Sequence, residues 1–462
     1  MNYRDWMQYS RNPRAVKEDL APDEAFVQRL WFEELYQNPL TLTDGRQIRV
    51  VQPGFWNREA GADFYHAAII DENGKLQTGA VEIDLSPGQW RQHHHADNPR
   101  YNNVILHVVW RAGAREFFPV TVSGGAVRQA ELSSQLKFPP AELREYFSAT
   151  LSERELGAKR GRCGGILAAL TDDAVLKILR DAGEFRFAQK RQLFRLKAAA
   201  LGVEQALWLG VAEALGFAKN RAAFRGLAQR LTVGDLLTVT TDWRREALLF
   251  GVAGFMPGAR LPERLAASAY ARRLWDEWWQ YRAAWQERVI PRAIWRLAGV
   301  RPLNRPERRV ALMARLSAPV NWRMFTRLAR IGNYELLQSF FAELTHDFWS
   351  THCTLASSPS AAPAGLLGEG RLTALMFNTV WPLSARENPG ETEERLRRAA
   401  SGQQNRLAKI AAVRLLGNRN ARGLKTSLLA QEGLLQVYRD FCLRDFHQCR
   451  DCAFPELTEK YL

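Results

Sequence analysis

The sequence predicts an α+β protein in which a mixed α/β unit over residues 1–150 precedes a basic, all-α unit over residues 151–462. Three observations predict it. Short runs rich in Val, Ile and Phe, parted by Asp-Gly and Asn-Gly turns, crowd the first 150 residues. Beyond them apolar residues recur every three or four positions, with glycine near the segment ends. Charge divides at the same place. Residues 1–150 hold 16 Lys and Arg against 19 Asp and Glu, while residues 151–462 carry a balance of +18 within the net +15.

The elements follow in order. After Pro22, the stretch PDEAFVQRLWFEELY sets Phe26, Leu30 and Trp31 at helical spacing, and Asp23 and Glu24 suit a first turn because acids favour the positive end of the helix dipole. Strands are expected at 48–52, 64–70, 79–85, 103–110 and 117–122, with a polar, turn-rich connection between the third and fourth. Helices are expected over 174–202, 205–216, 245–255, 271–285 and 406–416. Residues 351–370, rich in Ser, Ala, Pro and Gly, read as a mobile surface loop.

Composition narrows the function classes. With 462 residues, 46% of them hydrophobic, the chain can bury a large core, which excludes disorder. No run approaches the roughly 20 apolar residues of a membrane span, and the first 30 residues mix charges with aromatics, so the expected protein is cytoplasmic and stays out of the membrane. Five cysteines are too few and odd in number for a secreted disulfide framework. The Gly-rich GxxxxGK[ST] loop that cradles nucleotide phosphates does not occur. The basic excess fits DNA or RNA, because neutralising phosphates releases counterions. It fits GC-rich coding equally well, since Arg outnumbers Lys 53 to 11.

Acids stand at informative places on two strands. Asp63 opens one strand, and Glu82 lies in the next, with Asp84 on the same face because strand side chains alternate. Paired as a hairpin, these strands would bring Asp63 and Glu82 together, and Glu24 or Glu34 from the first helix could complete an oxygen shell for Mg²⁺ or Mn²⁺. The run QWRQHHHADNPRYNNVILHVVW adds His93, His94, His95 and Asp97, then His107 inside a strand. His93 and His95 are candidates for the site. His107, in an apolar strand, reads first as a core histidine bonded to a backbone carbonyl.

An Asp at a strand start followed by an acid in the next strand, in the order helix, three strands, helix, strand, resembles the restriction-endonuclease-like superfamily of metal-dependent nucleases. That resemblance implies Asp63 and Glu82 as ligands of Mg²⁺ or Mn²⁺ and phosphodiester hydrolysis in DNA or RNA. Those enzymes usually carry Lys two positions after the Glu. Here Asp84 stands there, leaving His93, His95 or Arg91 to replace the lysine. The succession FWNREAGADF, GAVEIDL, Trp90-x-x-His93-x-His95 and PRYNNVILHVV, continued through much of the helical part, also resembles a bacterial family known as a domain of unknown function. Its members usually read AGPDF, GxVEIH and DP, where this chain has Ala62, Asp84 and Asn98. That family carries no established activity; it is the restriction-endonuclease-like resemblance that implies a nuclease, or alternatively a nucleic-acid-binding or scaffold protein derived from a nuclease fold. A third reading is hydrolysis of another phosphate ester by the same residues.

Cys442, Cys449 and Cys452 show the two-residue pair spacing of thiolate metal sites, with His447 or Cys163 as a fourth ligand, and reduced cysteines without metal as the bland alternative. Some nucleases of the superfamily above hold an iron–sulfur cluster on one distant and three C-terminal cysteines, and by that resemblance Cys163 is preferred, with zinc or an iron–sulfur cluster as the group held. Cys353 stands apart. In 271–296, Trp275, Trp278, Trp279, Trp285 and Trp295 interleave with arginines, a pattern that suits helix core first and nucleic-acid stacking second. Arg301, Arg305, Arg308 and Arg309, in a segment broken by Pro302 and Pro306, are the candidate phosphate contacts.

Overall fold

Asp23 starts the first helix, α1 (Glu24–Phe32), by accepting a hydrogen bond from the Phe26 amide at 2.7 Å. The structure is a computed structural model and describes residues 3, 5–6, 22–57, 60–113, 117–140, 143, 161–297, 299–401, 406–417, 419, 426–443, 449 and 452–461. Phe26, Val27, Leu30 and Trp31 turn the apolar stripe of α1 onto a sheet. Its strands are β1 (Leu40–Thr41), β2 (Gln47–Gln52), β3 (Phe55–Trp56), β4 (Phe64–Ile70), β5 (Leu76–Asp84), β6 (Val104–Val109) and β7 (Arg128–Glu131). They lie in the order β1-β2-β4-β5-β6-β7, with β3 beside β4.

The sheet changes character across its width. β2, β4 and β5 pair antiparallel, whereas β6 runs parallel to β5 and β7 parallel to β6. A parallel neighbour requires a crossover, and residues 85–103 supply it as one helical turn (Gln89–Gln92) and two short 3-10 turns. Alternation along β5, β6 and β7 sends Val81, Ile83, Leu106, Val108 and Ala130 into the core shared with α1. Glu82, Asp84, His107 and Gln129, at the alternate positions, are buried away from that core.

Sequence and structure part at the fifth expected strand. Residues 117–122 form no strand; Val120 makes only an isolated bridge to Ala126, and Phe118, Val120 and Val122 stay exposed. Pro119 explains this, since it supplies no amide to a ladder. The edge strand is instead the short, polar β7.

The rest of the chain is helical. Thr171 caps α3 (Asp172–Leu201), which follows the short α2 (Cys163–Ala169) and turns at Gly202 (φ 86°) into α4 (Val203–Arg230). α4 runs well past the expected end at 216. The tryptophan-rich helix spans Ala269–Trp285 and stops there, before Pro291; Trp278 and Trp295 are core, and Arg273, Arg282 and Arg288 cover the rings of Trp243, Trp279 and Trp285. One face each of Trp279 and Trp285 is thus covered from within the chain. α3 meets the helix Leu428–Val437 at two glycines, where a Cβ on Gly183 would lie 2.1 Å from the Leu429 carbonyl oxygen and one on Gly433 1.8 Å from that of Leu179. Only glycine permits so close a crossing. Among the described residues, no helix is long and apolar enough to cross a membrane.

The sheet and helices share their packing. Leu196 of α3 lies in the sheet core, and Phe55 of β3 lies in the main helical core. Between them, Arg225 Nη1 sits 2.7 Å from Glu33 Oε2 and 3.0 Å from Glu213 Oε1, and Lys197 Nζ reaches the same two carboxylates at 3.1 and 3.0 Å. Burial alone would raise the Glu33 carboxyl, but Arg225, Lys197 and Arg29 hold it well below the usual carboxylate range.

Candidate metal centre

The row of polar side chains crossing β4 to β7 is the starting point. β5–β6 register sets Glu82 opposite His107, and β6–β7 register sets His107 opposite Gln129. Asp63, just before β4, donates its amide to Glu82 Oε2 at 3.0 Å, and its own Oδ2 accepts from the Ile83 amide at 3.0 Å. The expected approach of Asp63 to Glu82 therefore occurs. Gln28 of α1 donates to Glu24 Oε1 at 2.9 Å and to Asp63 Oδ1 at 2.8 Å, which ties the start of α1 to the same place. Glu34 has no part in this: it sits at the other end of α1 and accepts from Gln229.

The crossover adds the histidines. Trp90 is buried and donates to the Val120 carbonyl at 3.1 Å, anchoring the helical turn. His94 takes a left-handed conformation (φ 59°) with its ring exposed, and the chain reversal there lets His93 and His95 both face β5. His95 is buried, stacked on Tyr101 at 4.1 Å between ring centres and edge-on to Trp90.

Ligand atoms of Asp84, His93 and His95 all lie within 4.8 Å of one another. His95 Nε2 is 3.0 Å from Glu82 Oε1 and 3.9 Å from Asp84 Oδ2, and His93 Nδ1 is 3.1 Å from Asp84 Oδ1. Yet Asp84 Oδ1 and both ring nitrogens of His95 are buried without a hydrogen bond. Atoms this close but out of line for hydrogen bonds share a common focus, as donors around a cation do.

His107 supports Asp84 rather than a backbone carbonyl, a correction to the sequence expectation. Its Nε2 lies 3.0 Å from Asp84 Oδ2 and its Nδ1 lies 3.0 Å from Gln129 Nε2. The Gln129 amide nitrogen can only donate, so Nδ1 accepts and Nε2 carries the proton toward Asp84. Burial lowers the pKa of His107 and of His95, which favours neutral imidazoles.

The carboxyls are perturbed in the opposite sense. Asp63 is pushed up to about 8 by burial, then by Glu82 and Glu24; Glu82 is pushed up to about 9 by burial and by Asp84. Glu24 is raised by burial and by Asp84. Several acids crowded into a dry site hold protons that a cation would displace. Asp84, read from sequence as the departure that removes a lysine, is the most deeply buried member of the group.

The profile of the family described as Protein of unknown function (DUF2851) matches residues 24–408. The chain belongs to the DUF2851 family. No curated protein and no solved structure matches it. The DUF2851 match contains every residue of the candidate centre and ends before Cys442, Cys449 and Cys452.

Other expected residues are dispersed. Arg308 and Arg309 begin the helix Pro306–Leu316 and point inward. Arg308 Nε donates to the Trp349 carbonyl at 2.8 Å and Nη2 to that of Ala364, while Arg309 donates to the Leu366 carbonyl and to Asn304 Oδ1. Both are buried, so they are corrected from phosphate contacts to anchors of the 351–370 segment, whose Leu355 and Leu366 are core. Arg301 is exposed and Arg305 half-buried. Arg91 lies over the Phe117 ring, 5.1 Å from its centre.

The cysteines do converge. The Arg162 amide donates to Cys449 Sγ at 3.1 Å, and Cys163 and Cys449 Sγ both flank Gly161, 3.3 and 3.5 Å from where its Cβ would lie. Cys442 and Cys452 border the hydrophobic cluster that contains Cys163. Burial, then the neighbouring Cys442, Cys452 and Cys449, push the Cys163 thiol up to about 12. His447, the alternative ligand, lies outside the described residues.

Proposed function

We propose that this DUF2851 protein is a metal-dependent hydrolase of phosphodiester bonds in DNA or RNA. The observation that carries the reading is the convergence of Asp84, His93 and His95 beside Glu82, with unsatisfied donor atoms facing one another. Asp84, His93, His95 and Glu82 would hold the cation, and Asp63 supports Glu82 from behind. Imidazole donors favour Mn²⁺ over Mg²⁺ here. Such a cation lowers the proton affinity of water and stabilises charge on a phosphate. Glu24, raised by burial and by Asp84, stands beside these ligands as the candidate proton carrier. An antiparallel meander whose last strand carries the acids and pairs with a parallel strand agrees with the restriction-endonuclease-like resemblance. The basic helical part, with Arg301 and Arg305 at its surface, supplies the phosphate contacts.

The place of Arg91 over Phe117 favours a second reading, in which no cationic side chain replaces the lysine and the protein binds nucleic acid without cutting it. One experiment separates the two. Purified protein and its Glu82→Ala variant are incubated with single-stranded, duplex and branched DNA and with RNA, in Mg²⁺ and in Mn²⁺. Cleavage that disappears in the variant supports hydrolysis. Salt-dependent binding with no cleavage in either metal overturns it in favour of the second reading.

A further inference from the structure

We propose that Cys163, Cys442, Cys449 and Cys452 form a second centre that binds a thiophilic metal group, either Zn²⁺ or an iron–sulfur cluster, and staples the start of the helical part to its C-terminal end. The argument begins with convergence. Residues nearly three hundred positions apart meet here, with Arg162 bonded through its amide to Cys449 Sγ and through its side chain to the Cys452 carbonyl at 3.0 Å. The glycine crossing of α3 with Leu428–Val437 brings the C-terminal segment to α2, and the Gly161 amide adds a bond to the Arg414 carbonyl at 2.8 Å.

The cysteines are not explained as packing. None of the four forms a disulfide, and Cys442, Cys449 and Cys452 are only half-buried, whereas a cysteine acting as a small apolar residue is usually enclosed. An amide aimed at a sulfur is a feature of metal-bound cysteine, because it stabilises the charge that the metal induces. Four thiolates around Zn²⁺ leave two negative charges, and Arg414, which bonds Cys442, and Arg162 stand beside them. The two-residue spacing of Cys449 and Cys452 lets adjacent turns of backbone offer two sulfurs to one centre.

The centre is independent of the carboxylate–histidine site, so the test reads metal content rather than activity. Protein purified without chelator under anaerobic conditions is assayed for zinc, iron and acid-labile sulfide, and for the charge-transfer absorption of an iron–sulfur cluster. About one zinc per chain, or iron with matching sulfide, is expected. Cys163→Ser and Cys452→Ser should each reduce that content at least about tenfold, while Cys353→Ser leaves it unchanged. Should the cysteine variants fail to fold, the wild-type protein still decides. Its content of zinc and iron is measured directly, and chelation must lower its unfolding temperature. A wild-type protein with neither metal overturns the proposal, as does a metal that survives in both cysteine variants.

Discussion

Asp84 Oδ2 and His107 Nε2 lie 3.0 Å apart on neighbouring parallel strands, both closed off from solvent. The imidazole proton points at one oxygen of the carboxylate, and the other oxygen of Asp84 is aimed toward His93. A position that removes a lysine from the site thereby supplies a ligand. Asp84→Asn should weaken Mn²⁺ binding at least about tenfold by titration calorimetry. Asp84→Lys should abolish metal binding and cleavage together, since it places a cation among the donors. Cleavage rising in Asp84→Lys would sink the ligand role.

Behind Asp84, Gln129 sets which nitrogen of His107 carries the proton. Gln129→Leu removes that donor at nearly constant volume and frees the ring to adopt the other tautomer, with an acceptor facing Asp84. Partners of this kind typically contribute about 10–100-fold to metal affinity. The expected result is a loss of that size in Mn²⁺ affinity, with the circular dichroism spectrum unchanged. His107→Gln, which can still donate to Asp84, should retain more affinity than His107→Ala.

These relationships mark how far the sequence could be read. Asp63, Glu82, His93 and His95 were legible because short β-rich runs and one Trp-x-x-His-x-His pattern are local signals. Helix limits read from periodicity agree closely for Arg406–Leu416 and Ala269–Trp285, where an apolar stripe faces one core. What periodicity misses is pairing between distant strands. Gln129 lies on a four-residue polar strand that carries no pattern, and its value arises only from parallel register with His107. Arg308 and Arg309 misled for the converse reason. Proline nearby suggested an outward turn, but Pro306 starts a helix that carries both side chains inward.

The raised carboxyls give a pH dependence. Asp63 and Glu82 release their protons at about 8 and about 9 in the folded metal-free protein, but near 4 when unfolded. Between those limits the folded state binds more protons, so its stability falls as pH rises. The metal-free unfolding temperature should therefore drop between pH 6 and pH 9, and Asp63→Asn with Glu82→Gln should flatten that drop. A cation that replaces the protons should stabilise the protein more at pH 9 than at pH 6. Scanning fluorimetry at both values, with and without Mn²⁺, checks both signs. Unfolding temperatures that rise together with pH in the metal-free protein would contradict the crowding of these acids.

The arginines after residue 300 divide by burial, and two measurements should separate them. Arg308 satisfies the carbonyls of Trp349 and Ala364 from a buried position, so Arg308→Ala strands both acceptors and opens a space. Leaving buried polar groups unpaired costs about 1–3 kcal/mol each, so the variant should unfold at clearly lower temperature and denaturant concentration. Arg301 is exposed, and replacing it should leave stability within about 0.5 kcal/mol. If the helical part grips phosphates, Arg301→Ala should instead weaken DNA or RNA binding across sequences and lower the salt slope of log K by about 1. An Arg301→Ala protein whose binding and salt slope match those of the parent would place the phosphate contacts elsewhere on the basic helical surface.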